Sequence, residues 1–405
     1  MIIKFLFKKE GTLKMTRQQL AAIMKQRYFK YLIGLLLLMV GIQAAVGLQQ
    51  GQSWQRDNQY YHSTKFVKDY KADSAKYAGY QDGSGKQPAK VTLESFQEEV
   101  LNFFDNRENA VPSVMTLTIA FICMTAGLLT FTYDRRTNFD AFLFGLATNR
   151  RSIYWAKIKL VGLMVLAGIV IGQSSYYLIL KTMVHQPYFN IEIGNLLQHE
   201  LALLIILMGL YVLGCFLGLV VGELVTLLVG AYGLLFTLTF NITNLEDLRH
   251  FIQSRTTTQY GMDPGSIRFF LNRILDTHYV GTVYRNRKYF VLIIGILMTS
   301  MFVLWLGQRI YQKSSLEHQN KVVTMDWLKW PLLILGTLYV AFLMTMNGVF
   351  SRLPYDLLDT HEKYLLLWYF IRNVVLVGII GWLFIDRPWQ RKIRLSGLKI
   401  NRKIN

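Results

Sequence analysis

The chain has few residues that could cross-link it or bind a metal. Only two of its 405 residues are cysteines, Cys123 and Cys215. Both fall inside long apolar runs, so the sequence offers no disulfide between exposed loops. Its seven histidines are scattered, without a His-Glu-x-x-His or comparable metal-ligand spacing. We therefore predict that this chain binds no metal or other cofactor itself.

The sequence also contains only part of a nucleotide-binding motif. The stretch Gly83-Ser-Gly-Lys86 resembles the end of a phosphate-binding P-loop. However, Tyr80 stands where the first glycine is required, and Gln87 replaces the hydroxyl residue that would bind magnesium. We predict that the chain has no ATP site and no catalytic residues, and that it is not an enzyme.

Charged residues make up only 17% of the chain, whereas 52% are hydrophobic and 14% aromatic. The apolar runs are too long for core strands. We predict an all-α fold, a polytopic integral membrane protein with about eight transmembrane helices. The predicted spans are Tyr31–Leu48, Val114–Phe131, Ile158–Leu180, Leu201–Val220, Leu224–Phe240, Tyr289–Leu306, Trp330–Phe350 and Tyr364–Ile385. The two that meet at Gly222-Glu223 could also be one broken helix or a re-entrant segment.

Acidic residues are the scarcer charge, 25 against 44 basic residues. Eight basic residues and one acid lie in the first 30 positions, and seven basic residues with no acid follow Asp386. Basic segments stay on the cytoplasmic side, so both termini are predicted to be cytoplasmic in a multi-pass plasma-membrane protein. The basic residues flank apolar spans, which favours anionic membrane lipids as their partners over nucleic acid.

Residues 1–30 are predicted to form a basic leader followed by an amphipathic elbow helix. Thr16 and Gln19 match a capping box. An apolar stripe follows at helical spacing, formed by Leu20, Ile23, Met24 and Tyr28. Lys8 to Met15 back-translates to a purine-rich ribosome-binding sequence before a start codon, so residues 1–14 are either an upstream artefact or a genuine leader.

The remaining segments are assigned from the spans. Two outer loops are predicted, at 49–113 and 241–288, with a cytoplasmic loop at 307–329. The first outer loop is too polar to bury a large core, although its flanks could extend the spans as helices. In the second, Asp263-Pro264 predicts the start of an interfacial helix. Two additional spans occupy 330–385, and a basic cytoplasmic tail occupies 386–405.

A short amphipathic segment lies between the second and third spans. Phe139, Phe142, Leu143 and Leu146 recur at i, i+3, i+4 and i+7, so they share one face of a helix. Arg150 and Arg151 follow it, and Arg135 and Arg136 precede it. We expect this helix to bind a cytosolic partner; the alternative is that it rests on the lipid surface.

An inner elbow helix, a polar outer loop and then a basic loop with a short helix resemble the permease subunits of ABC-2 type exporters. The stretch Phe142 to Lys157 is similar to that family's coupling loop, although Ala147-Thr148-Asn149 stands where a proline is common. The resemblance implies a core of six spans over 31–306, in a bacterial exporter. It also implies a second permease subunit and a cytosolic ABC ATPase subunit that uses ATP and magnesium. The six residues Phe139, Phe142, Leu143, Leu146, Arg150 and Arg151 would form the ATPase-coupling interface.

Polar residues inside spans are further candidates for function, because a charge in the bilayer is costly. They are Arg372, Asn373, Gln173 and Glu223. Arg372 is expected to snorkel outward or to pair with Asp356 or Asp359, and Glu223 to cap a turn. Two other function classes stay open: an integral membrane enzyme of lipid or cell-wall metabolism, and a non-transporting sensor or immunity protein.

Overall fold

A computed structural model describes residues 17–73, 92–103, 113–146, 148–189, 193–252, 287–314, 322–348 and 363–386. These residues form eleven α-helices, and a 3-10 turn at Asp326–Leu328 precedes the tenth. The helices are α1 (Arg17–Tyr61), α2 (Thr64–Ala72), α3 (Leu93–Leu101), α4 (Ser113–Arg136), α5 (Phe139–Gly145), α6 (Arg150–Met183), α7 (Ile193–Val220), α8 (Leu224–Ile252), α9 (Arg287–Lys313), α10 (Lys329–Met346) and α11 (Lys363–Asp386). The predicted helix after Asp263-Pro264 lies outside the described residues.

Seven of these helices are long and apolar enough to cross a membrane. The predicted all-α polytopic membrane fold is therefore confirmed. The remaining predicted span, Leu224–Phe240, corresponds to α8, whose apolar part is the shorter stretch Leu224–Leu238. At 1.5 Å per residue this stretch covers about 22 Å, less than the roughly 30 Å of a hydrocarbon core. The complete α8 has 29 residues, so its length alone would suffice to cross the hydrocarbon core. The part from Leu238 to Ile252 that supplies this extra length contains polar residues.

The amphipathic segment at the amino end is not a separate elbow helix. It forms the first turns of α1, which runs without a break for 45 residues. No glycine or proline occurs between Arg17 and Ile33 to interrupt it. The predicted apolar stripe is largely buried, since Leu20, Met24 and Tyr28 are all under 9% exposed.

Contacts divide the chain into two units. Unit one holds the described residues within 17–130, 146–214 and 287–304, and unit two holds those within 131–145, 215–252 and 305–386. Three helices, α4, α7 and α9, contribute residues to both units.

In unit one, α1 and α6 pack in parallel through glycines. A Cβ atom on Gly168 would touch the side chain of Met39, and one on Gly47 would touch Tyr176. The partners differ by 129 positions in both pairs, so the two helices keep one register. The Gln43 amide donates to the main-chain oxygen of Gly168 at 3.4 Å. Small residues spaced by four allow this close approach of membrane helices.

Helices α2 and α3 form a small layer on the far end of α1, still within unit one. The Trp54 indole N–H donates to the main-chain oxygen of Leu101 at 2.8 Å. Phe66 stacks on Phe96 with ring centroids 5.9 Å apart. The predicted helical flanks of the first outer loop are thus present, and they enclose a small aromatic core rather than a large one.

In unit two, a tight turn joins α7 to α8. The break between Val220 and Leu224 leaves two long helices rather than one. Val221 forms an antiparallel bridge with Val323, and the Thr324 N–H donates to the Val220 oxygen at 2.9 Å. The turn is therefore held by the segment that precedes α10.

Helices α10 and α11 pack against each other and against α8 in unit two. The Asn373 amide of α11 donates to the Thr345 hydroxyl of α10 at 3.0 Å. Thr237 of α8 and Tyr339 of α10 share a hydroxyl hydrogen bond of 2.9 Å. These polar contacts tie the last two spans to α8.

Candidate functional site: a short helix between two spans

The candidate site begins where α4 ends. Thr137 closes the last turn of α4 by donating its hydroxyl to the Tyr133 oxygen at 3.0 Å. Asn138 then adopts a positive φ of 54°, a left-handed conformation that asparagine tolerates better than most residues. This turn ends α4 and lets the chain start α5 as a separate short helix.

One side of α5 is anchored inside unit two. Leu143 and Asp140 are buried, and the Asp140 carboxylate accepts a hydrogen bond from the Tyr311 hydroxyl at 3.4 Å. Phe144 contacts the same tyrosine edge to face, with ring centroids 5.6 Å apart. Phe131 of α4 packs on the other side of Tyr311 at 5.5 Å. Tyr311 of α9 thus fixes α5 against two spans.

The opposite side of α5 is open. Phe142 is 50% exposed, and Phe139, which is half-buried, stacks on it with ring centroids 5.5 Å apart. Ala141 and Gly145 are also exposed. The exposed apolar residue is therefore Phe142, with the half-buried Phe139 stacked on it, on a helix whose other side is fixed.

The structure divides the six predicted coupling residues. Phe139, Phe142 and Leu143 belong to unit two, whereas Leu146, Arg150 and Arg151 belong to unit one. Leu143 is 0% exposed, so it supports α5 from inside rather than projecting from it. Arg150 is half-buried and Arg151 is exposed in the first turn of α6, where the Asn149 side chain accepts from the Arg151 N–H.

Arg135, which was expected to contribute surface charge, has an internal role. Its guanidinium donates to the main-chain oxygens of Leu219 at 2.9 Å and Val221 at 3.1 Å. The last carbonyl groups of a helix lack partners within that helix. Arg135 satisfies two such carbonyls at the end of α7, and a cation there also suits the helix dipole.

Two of the polar residues predicted within spans lie together in α11. Asn373 is fully buried and bonded to Thr345, while Arg372 lies over the Tyr369 ring with its Cζ 5.1 Å from the centroid. Arg372 also donates to the Asn373 side chain at 3.4 Å. The suggested partners Asp356 and Asp359 lie outside the described residues.

The other two predicted polar residues are separated. Gln173 is buried in α6, and its side-chain oxygen has no hydrogen-bond partner among the described residues. Glu223 lies just before α8 and accepts a hydrogen bond from the Thr226 hydroxyl at 2.9 Å. Its main-chain oxygen accepts from the Leu227 N–H. Glu223 thus lies at the start of α8, in the turn between α7 and α8 that it was expected to cap.

Sequence reasoning missed a polar stripe on α8. The stripe consists of Thr237, Asn241 and Asn244, which are spaced to share one helix face, and Leu248 continues the same face. Thr237 contacts Tyr339, and Leu248 packs beside Met346, so this face lies against α10. Asn241 is 6% exposed, and within the part of the chain that the structure describes neither polar atom of its amide has a hydrogen-bond partner. Two asparagines three apart at the end of an apolar run were the available signal.

A second missed cluster lies in unit one, between α6 and α7. Glu200 accepts a hydrogen bond from the Tyr177 hydroxyl at 2.8 Å, and its Oε1 lies 3.3 Å from the Nδ1 of His199. His199 is fully buried. Across the described ranges, no group of three or more histidine, cysteine, aspartate or glutamate side chains could hold a metal ion.

Comparison of the chain with protein-family models, with curated proteins and with solved structures gives no match.

Proposed function

We propose that this chain is the membrane-spanning permease subunit of an ABC-type exporter in a bacterial plasma membrane. It would form the translocation path with a second permease subunit, a copy of itself or a related chain. Cytosolic ATPase subunits would supply the energy by hydrolysing ATP with magnesium. Both termini and the α4–α6 connection would face the cytosol.

The observation that carries the proposal is the construction of α5. A seven-residue helix has too little length to be stable alone in water. Here it is fixed through Asp140 and Leu143, and it exposes half of the Phe142 side chain, on which Phe139 is stacked. Exposed aromatic residues on a rigid support are typical anchors of protein interfaces. A partner bound there would act on the chain segment that connects the spans α4 and α6.

The charges that precede and follow α5 in the sequence agree with this proposal. Arg136 at the end of α4 and Arg151 at the start of α6 are exposed. Basic residues at the ends of spans are typical of the cytoplasmic side, where an ATPase would be found. Movement of the bound ATPase would then be converted into tilt of the spans.

The test is co-purification with an ATP-binding subunit encoded beside this gene. Phe142→Asp should abolish recovery of the ATPase while leaving membrane insertion and thermal stability unchanged. Tyr60→Asp is a matched control, since Tyr60 is an exposed aromatic residue in the layer formed with α2 and α3. Leu143→Ala should instead lower stability by about 2–5 kcal/mol, because it removes a fully buried side chain.

Equal recovery of the ATPase by wild type and Phe142→Asp, with unchanged stimulation of ATP hydrolysis, would contradict the coupling role. Loss of recovery in Tyr60→Asp to the same extent would show that the effect is not specific to α5.

A further inference from the structure

A groove of about 720 Å³ lies in unit one between the first turns of α1 and α6. We call it the α1–α6 groove. On the α1 side it is lined by Leu20 and Met24, and on the α6 side by Arg151, Trp155, Lys159 and Leu163, among others. Its volume is in the range of sites that take small molecules.

The α6 side of the groove changes character along the helix. Arg151, Trp155, Lys159 and Leu163 recur every four residues, so they follow one side of α6. The 12 steps from Arg151 to Leu163 cover about 18 Å of helix. Arg151 stands at the beginning of this distance, Lys159 about 12 Å along it, and Leu163 at its end. Leu163 is 63% exposed and belongs to the predicted span Ile158–Leu180, whose exposed side chains would face hydrocarbon in a bilayer.

The two cations in the groove are available to an anion. Arg151 and Lys159 are both exposed, and neither side chain has an acidic partner among the described residues. The four-carbon stem of Lys159 can follow the apolar wall while its ammonium group reaches the headgroup level. Trp155 lies between them, and tryptophan is enriched at that level of a membrane protein.

We propose that the α1–α6 groove binds one anionic phospholipid. Its phosphate lies between Arg151 and Lys159, and an acyl chain runs along Leu163. A soluble nucleotide or peptide would satisfy the cations but would place polar atoms beside Leu163, in hydrocarbon. Only a molecule with an anionic head and an apolar tail matches both ends of the groove.

The experiment uses the purified full chain without any partner subunit, so it is independent of the proposed exporter function. Native mass spectrometry measures bound phosphatidylglycerol against phosphatidylcholine. The double variant Arg151→Ala/Lys159→Ala should lower phosphatidylglycerol binding by about fivefold for each cation removed. Ala156→Trp, which fills the groove without changing charge, should lower it as well. Arg151→Lys/Lys159→Arg should retain it.

The matched control is Lys25→Ala/Arg136→Ala, which removes two exposed cations outside the groove. It should leave phosphatidylglycerol binding unchanged, and photoactivatable phosphatidylglycerol should cross-link to the peptide containing Leu163. Equal weakening in the control would show general surface attraction and overturn the proposal. Displacement by inorganic phosphate alone would overturn it in favour of a plain anion site. Binding of lipid only after residues 1–14 are deleted would overturn it in favour of that segment as the occupant.

Discussion

A Cβ atom on Gly47 of α1 would lie 3.2 Å from the main-chain oxygen of Tyr176 of α6. This distance is shorter than ordinary van der Waals contact, and the neighbouring atom is backbone, which cannot easily move. Gly41, on the same helix, has no heavy atom of the described residues within 4 Å of the equivalent position. The two glycines therefore provide a matched pair for testing how α1 and α6 pack.

Gly47→Leu should destabilise the protein by about 1–3 kcal/mol, because the new side chain forces α1 away from α6. Gly41→Leu should leave stability unchanged, since its side chain would enter open space. Thermal unfolding of both variants in the same detergent measures the difference. Equal shifts in Tm would mean that α1 and α6 do not approach each other at Gly47.

Asn241→Leu should stabilise the protein or leave its stability unchanged. The buried Asn241 amide makes no hydrogen bond to any residue that the structure describes, and burying an unbonded amide costs about 1–3 kcal/mol. Asn373→Leu is the comparison, because it removes a buried hydrogen bond to Thr345 and should lower Tm. A marked loss of stability in Asn241→Leu would show that the amide has a partner.

The membrane topology can be tested by labelling intact cells with a membrane-impermeant thiol reagent. Lys68→Cys in α2 should be labelled from outside, and Arg136→Cys at the end of α4 should not. Both positions are exposed, so accessibility differs only by side. The native cysteines are buried and contribute little background. Labelling of Arg136→Cys without permeabilisation would reverse the orientation.

The purified chain should hydrolyse no ATP above background, because Tyr80 and Gln87 break the only phosphate-loop-like stretch in the sequence. A phosphate-release assay with ATP and magnesium measures this directly. Turnover by the isolated chain that survives Lys86→Ala would point to a nucleotide site unlike a P-loop.

The spans were predictable because long apolar runs have few alternatives to membrane helices. The predicted span Ile158–Leu180 lies wholly within α6, for example. Periodicity also placed Phe139, Phe142 and Leu143 on one short helix. It did not reveal that Leu143 is buried, because α5 is fixed through Asp140 and Phe144 to Tyr311, which lies 168 residues after Leu143 in the sequence.

The internal role of Arg135 was equally hidden from the sequence. A charge count treats every arginine beside a span as surface charge. The carbonyl groups that Arg135 binds belong to the end of α7, more than 80 residues away. The glycine contacts between α1 and α6 could have been predicted from the sequence. Gly47 and Gly51 are four residues apart, as are Gly168 and Gly172, which is the spacing typical of closely packed membrane helices.

Because α1 is one continuous helix, a tilt of the helix moves both of its ends. Its 45 residues extend about 68 Å, more than twice the hydrocarbon thickness of a bilayer. A tilt of about 5° about its midpoint displaces each end by roughly 3 Å, in opposite directions. Trp54, in the last part of α1, holds α3 to this helix through its hydrogen bond to the Leu101 oxygen. A lipid that wedges between α1 and α6 at one membrane face would therefore reposition the aromatic layer at the other face, without any helix having to unwind.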